Sequence, residues 1–447
     1  MARSDRALAA LVWVVVVVGS TVGAVGQTAG YVGDPIRYWE VEPDDEVAAL
    51  RGRMAGGLVS LPEGRGKPLL AAVLGELGVP SESQVLVFSK TSEQNAFISP
   101  QSPRALYFSD DVYVGWVPGG RIEVGTTDAH LGAVFYMLDD RRVGGGGREF
   151  VRPEGCMSCH AGSNTREVPG FVVRSVFPDK SGHPILSAGT FLTTHESPLA
   201  ERWGGWYVTG RHGFQRHMGN AIASESGGEV RLDREAGANV TDLSPYLDTA
   251  AYLQPTSDIL ALMILEHQVE MHNRFHRASY AVRQGLHRQE AMRELFGDEP
   301  TDAPVGSTLR ILENHAEKIL QHLLFCDEAP LEGGGIDSGG PFRAAFLANR
   351  RPGTDGRSLK DLQLLDRLFK YRCSYLIYSA AFDALPVPLK EHIFRRLHEI
   401  LDGNDTTGEF DHLGTSERGK IKAILMATKP EFARAVVETG EPRSGGG

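Results

Sequence analysis

Between residues 84 and 151 short runs of β-branched and aromatic residues alternate with turn residues, at 84–88, 105–108, 111–117, 121–124 and 133–138. The runs are strand-length and are broken by signals such as Pro118-Gly119-Gly120, so they predict a sheet. A short helix is expected ahead of it over 67–77, where Leu69, Leu70, Val73, Leu74 and Leu77 fall at helical spacing. After the glycine loop at 144–147, strand signals resume at 170–177, 184–192 and 203–209, with a turn at Asp179-Lys180-Ser181-Gly182. From residue 258 the periodicity changes to amphipathic helix, at 258–295, 308–325, 359–382, 389–401 and 416–427, with Pro255 and Ser257 marking the first start. The fold expected is α+β: a strand-rich region with its leading helix (27–150), a segment of hairpin and loops (151–250), a helical region (251–440) and a disordered tail (441–447).

Of the 447 residues 41% are hydrophobic and 23% charged, which suits globular packing, and the formal charge of −11 offers no basic field for a nucleic acid. Arg3 and Arg6, an apolar stretch over 7–18 and small residues from Ser20 to Gly26 have the layout of a secretory signal over 1–26, with cleavage expected after Ala24 or Gly26. An uncleaved N-terminal anchor is the alternative, since the stretch approaches the roughly 20 residues that span a bilayer. Membrane contact is expected only in that second case. The signal places the chain outside the cytoplasm, in the periplasm or at the cell surface.

Two of the four cysteines fall in Cys156-Met157-Ser158-Cys159-His160. On a helical turn the thiols lie three apart on one face and His160 follows at once, which is the spacing that covalent attachment of one haem c requires. Random placement of four cysteines and fifteen histidines in 447 residues gives this pattern in on the order of one chain in a thousand. The competing readings are a redox dithiol and a zinc site completed by two histidines. The remaining pair, Cys326 and Cys373, is expected either as a disulfide between two helices or as two separate buried thiols.

Residues 156–160 resemble the c-type cytochrome signature. The wider chain, through 86–92, 103–108, 112–116 and 202–210, resembles a group of large secreted cytochrome-c-like proteins of planctomycete-type bacteria. The resemblance implies a covalent haem at Cys156 and Cys159 with its iron on His160; it carries over neither an activity nor the small all-helical cytochrome fold.

For the other face of the iron, Met218 is the expected ligand, since a thioether suits haem iron and the flanking residues suggest a loop. Its rivals are His195, His212 and His217. Together, His195, Arg202, Trp203, Trp206, Tyr207, His212 and His217 form a dense set able to stack on a porphyrin or line a distal pocket, and Arg202 and Arg211 suit its carboxylates. On the helix from 258, His272 and His276 share a face and allow a second metal, with Glu266, His267 and Glu270 near; a buried structural face is the alternative. His315 and His322 share a later face that is expected to meet solvent.

The sequence thus favours a mono-haem electron-transfer protein serving a redox partner protein of unknown identity. A haem-dependent, peroxidase-like oxidoreductase with an open distal site is the second reading. A binding or scaffold module of a redox assembly is the third.

Overall fold

A computed structural model of the chain describes residues 30–139, 148–297, 299, 301 and 303–440. The signal segment, the glycine loop at 144–147 and the tail lie outside these.

The strand-rich half and the helical half are both present. Seven antiparallel strands form the central sheet: β1 (Val85–Val87), β2 (Arg104–Phe108), β3 (Val112–Trp116), β4 (Glu123–Asp128), β5 (Gly132–Asp139), β6 (Glu149–Val151) and, after two outlying strands β7 (Arg174–Val176) and β8 (Thr190–Leu192), β9 (Trp206–Tyr207). Their order is β6-β5-β4-β3-β2-β1-β9. The segment 151–250 therefore supplies an edge of the same sheet, while β10 (Ala223–Ser226) and β11 (Glu229–Leu232) make a separate hairpin. Meander neighbours pair because their turns are short. At the β4–β5 turn the Asp128 carboxylate accepts from His130 N and Leu131 N, 2.7 and 2.6 Å away.

Both faces of the sheet are covered, which is why β5 is buried along seven of its eight residues rather than in alternation. One face meets helices α1 (Glu46–Ala55) and α2 (Lys67–Glu76). There Asp45, the N-cap of α1, accepts from Tyr136 Oη and Thr126 Oγ1, both at 2.7 Å. On the other face Tyr113, Gly125 and Phe135 are cross-strand neighbours, and Phe171 lies over them. Gly125 makes this possible, since a Cβ there would stand 2.8 Å from the Phe171 ring.

Over the same face runs α4 (Ile259–Phe296), 38 residues long and buried over most of its first seven turns. Its cap is Asp258, whose carboxylate accepts from Leu260 N and Ala261 N. The expected cap, Ser257, instead donates to Tyr207 O (2.6 Å) and accepts from Leu86 N (2.9 Å), tying β1 and β9 to the helix start. Helix α5 (Gly306–Leu323) packs beside α4, followed by α6 (Phe342–Ala348), α7 (Ala380–Asp383), α8 (Val387–Leu401), α9 (Thr415–Thr428) and α10 (Pro430–Gly440). The helix expected over 359–382 is mostly irregular. Lys370 N bonds Asp361 O and Gln363 N bonds Leu368 O, so its backbone is satisfied by a local loop-back while Leu359, Leu368, Phe369 and Tyr371 fill the core. Among the described residues no helix is long and apolar enough to cross a membrane.

Candidate functional site

The Cys-Met-Ser-Cys-His run forms one continuous turn, a 3-10 start at Glu154–Cys156 leading into the short helix α3 (Met157–His160). Met157 is buried in the core and anchors the turn. On its outer side Cys159 is exposed and Cys156 half-buried, both free thiols. His160 is drawn back to the protein: its Nδ1 lies 2.9 Å from Gly170 O, and its ring packs 4.1 Å from that of Phe135 on β5. The Gly170 carbonyl can only accept, so Nδ1 carries the proton and Nε2 is the basic nitrogen. Burial, reinforced by Arg104, holds His160 below the usual imidazole range and hence neutral.

Two further contacts fix this geometry. The amide of Asn273 on α4 clasps the chain just after Gly170, accepting from Phe171 N (2.9 Å) and donating to Phe171 O (2.8 Å). Gly170 must be glycine for that clasp, since a Cβ would fall 2.5 Å from Asn273 Oδ1. Burial, with Glu123 and Glu93 nearby, pushes the Cys156 thiol up to about 11. That is opposite to the depressed value of a redox-active thiolate. Nor does any third histidine, cysteine or carboxylate among the described residues join this pair in a metal-sized cluster. The turn therefore offers one exposed and one half-buried thiol and one oriented, neutral imidazole, the donor set that haem c takes.

The aromatic and basic set expected opposite His160 forms a second locus. Met218 is fully buried, its sulfur 3.5 Å from Ser175 Oγ, and its backbone N–H donates to Arg202 O. It lies beside β9, whereas His160 lies over β5; four strands intervene, on the order of 20 Å at the usual strand spacing. The structure does not bring Met218 to His160. Trp203 packs edge-on to His217 at 5.3 Å and adopts φ 67, a left-handed conformation costly for a bulky residue. Trp206 Nε1 donates to Arg174 O, which fixes β7 against β9. Arg202 is sealed inside, 3.0 Å from the Glu266 carboxylate of α4. Burial pushes Glu266 up to about 7, against the pull of Arg202, Thr193 and Trp203. Arg211 is exposed and exchanges backbone bonds with Asp337. His212 Nδ1 bonds Gln215 O and its Nε2 accepts from Asn239 N, so neither nitrogen is free for iron.

On α4, His272 and His276 are buried with rings stacked 6.1 Å apart, and His272 Nδ1 is hydrogen-bonded to Tyr113 Oη at 2.8 Å. Glu266 is taken by Arg202 and Glu270 by Arg274 and Arg277, so the helix turns no carboxylate toward these two histidines. Asp111 Oδ1 stands 3.8 Å from His272 Nε2, but no third ligand joins the two histidines in a metal-sized group among the described residues, which supports their structural reading.

One constellation was not foreseen as a unit. His195, His267 and His322 each place a ring nitrogen within 4.8 Å of the other two. His322, expected to meet solvent, is fully buried because α5 turns that face onto α4. The signal was present only as three separate histidines in stretches with different periodicities.

No protein-family model matches this chain, and no curated protein or solved structure is similar to it.

Proposed function

We propose that the chain carries one haem c, held by thioether bonds from Cys156 and Cys159 with His160 as the iron ligand, and that it passes single electrons to and from a partner protein outside the cytoplasm. The observation that carries this reading is the His160 Nδ1 contact with Gly170 O at 2.9 Å, which leaves Nε2 as the ligating nitrogen beside one exposed and one half-buried thiol. The bound haem supplies the reversible one-electron couple. The protein's part is positioning: Phe135 walls the imidazole, Phe171 packs against Phe135, and Asn273 holds the carbonyl segment that orients the ring. Each thiol adds its S–H across one vinyl group, so attachment consumes no external oxidant. The extracytoplasmic setting follows from the signal-like pattern over 1–26.

The place of Met218 favours a second reading, a haem-dependent oxidoreductase with an open distal position. A methionine held beside β9 would not reach an iron bound at His160.

The test is to export the full chain in a host competent for haem c assembly and measure haem that survives denaturation. Covalent haem, lost in Cys156→Ala/Cys159→Ala, is expected; a folded, exported protein without it overturns the proposal. Rapid binding of carbon monoxide by the ferrous form selects the open-site reading over the electron carrier.

A further inference from the structure

We propose that His195, His267 and His322 form a buried site for one transition-metal ion that prefers imidazole ligands, zinc or copper. The three side chains are at most 2% exposed and come from a loop, from the third turn of α4 and from the last turn of α5. Their placement is over-determined. Arg202 Nη2 and Ala329 N both donate to His195 O at 3.0 Å, while α4 and α5 pack along each other.

The nitrogens divide into an outer and an inner set. His267 Nε2 is committed to Ser374 Oγ at 2.7 Å, and His322 Nδ1 to the Glu196 carboxylate at 2.9 Å. These are the outer partners that metal-bound imidazoles use, a hydroxyl and a carboxylate fixing the ring and its tautomer. Inside, His267 Nδ1 faces His195 Nδ1 at 2.9 Å and His322 Nε2 has no hydrogen-bond partner; His195 Nε2, also without one, is on the far side of its ring from Nδ1 and does not belong to the inner set. Leaving a buried ring nitrogen unpaired costs about 1–3 kcal/mol, so the unpaired His322 Nε2 beside the close Nδ1 pair calls for an occupant.

An ion fits that requirement. Two imidazoles on a tetrahedral zinc have nitrogens about 3.3 Å apart, given metal–nitrogen bonds of 2.0–2.1 Å. The observed 2.9 Å pair and the 4.8 Å outer limit bracket this, so small side-chain rotations close the site. All three histidines are held neutral by burial, the form that ligates. Phe325 stacks on His195 and His267 at 4.7 and 4.4 Å, which gives the apolar wall of such a centre. An all-nitrogen donor set excludes calcium and magnesium, which need oxygen ligands. With three protein ligands the fourth position falls to water or a small molecule.

The proposal stands independently of the haem, because zinc and copper are counted separately from iron. The full-length exported protein is stripped with a chelator, dialysed against zinc or copper, and its bound metal counted by elemental analysis alongside far-UV circular dichroism. One equivalent per chain is expected, with a higher unfolding midpoint than the stripped protein. The equivalent should be lost in His195→Gln and His322→Gln and kept in His272→Gln, a buried histidine of the same helix outside the cluster. Should those variants not fold, Glu196→Gln leaves all three rings in place and is expected to weaken affinity about 10–100-fold. A wild-type protein that takes up no zinc or copper, or uptake that survives His195→Gln, His322→Gln and Glu196→Gln alike, overturns the site; a water molecule then satisfies the inner nitrogens.

Discussion

Arg202 Nη1 and Glu266 Oε2 meet at 3.0 Å with side chains 3% and 0% exposed, joining the loop before β9 to the N-terminal third of α4. The same guanidinium donates to Ser197 O and His195 O, so one cation organises the whole 195–202 loop. Breaking such a pair leaves a charge buried without its partner. Arg202→Met is expected to destabilise the fold by about 3–5 kcal/mol, and Arg202→Met/Glu266→Leu by less than Arg202→Met alone. Denaturant unfolding of the two variants checks the order; equal losses would show that the Ser197 and His195 contacts, not the ion pair, dominate.

The same pair has a pH signature. Burial already holds Glu266 up to about 7, above its ordinary 4.5 in the unfolded chain. Without Arg202 the folded value moves higher still, so the folded state binds a proton that the unfolded state releases. A raised acid contributes stability at low pH that is lost as pH rises through the folded value. The loss caused by Arg202→Met should therefore be larger at pH 8.5 than at pH 6, and the difference should vanish in the Glu266→Gln background.

The Asn273 clasp gives a prediction that separates orientation from attachment. Asn273→Ala removes two buried hydrogen bonds to Phe171, a loss of about 2–3 kcal/mol, and frees the Gly170 carbonyl that orients His160. Covalent haem content should be unchanged while the low-spin absorption and the midpoint potential shift. Unaltered spectra would mean that the His160 turn is held without the clasp.

His276 offers the cleanest acid dependence. Neither ring nitrogen has a hydrogen bond of good geometry, and burial, with Arg277 adjacent, pushes it down to about 3 from an ordinary 6.5. The unfolded chain binds the proton first, so stability present above about pH 6.5 is lost as pH falls toward 3. His276→Leu should stabilise the protein by about 1–3 kcal/mol at pH 7. It should also reduce the slope of stability between pH 6.5 and 4 by up to about 1.4 kcal/mol per unit. Parallel pH–stability curves for wild type and variant would count against a neutral, unpaired His276.

Cys326 and Cys373 are separate buried thiols; Cys326 Sγ reaches Glu409 O at 3.5 Å, and burial pushes its thiol up to about 12. The haem-loaded protein should show no rapidly reacting thiol when folded and two when unfolded without reductant. A disulfide would leave none.

Most elements were legible in the sequence because their signals are local. The β2–β5 meander and helices α5, α8 and α9 lie within a few residues of the expected positions. The Cys156–His160 turn is local as well, since a spacing of three and four residues fixes which side chains share a face. The irregular 359–374 stretch was misread for an instructive reason. Its apolar residues are spaced as in a helix and are buried, yet the backbone closes local loops, Lys370 N to Asp361 O and Gln363 N to Leu368 O, in place of helical bonds.

By itself, the sequence determined the α+β layout and the Cys156–His160 turn, both written in periodicity and short spacing. Only the tertiary structure decided which distant residues meet. It set Met218 beside β9, with four strands between it and the β5 ring under His160, and it drew His195, His267 and His322 together across separations of 55 residues and more. The physical reason is that a hydrophobic pattern states which face of an element is buried but not against what. That second choice belongs to the order of strands and the docking of α4 and α5, where long-range packing rather than local propensity sets the free energy.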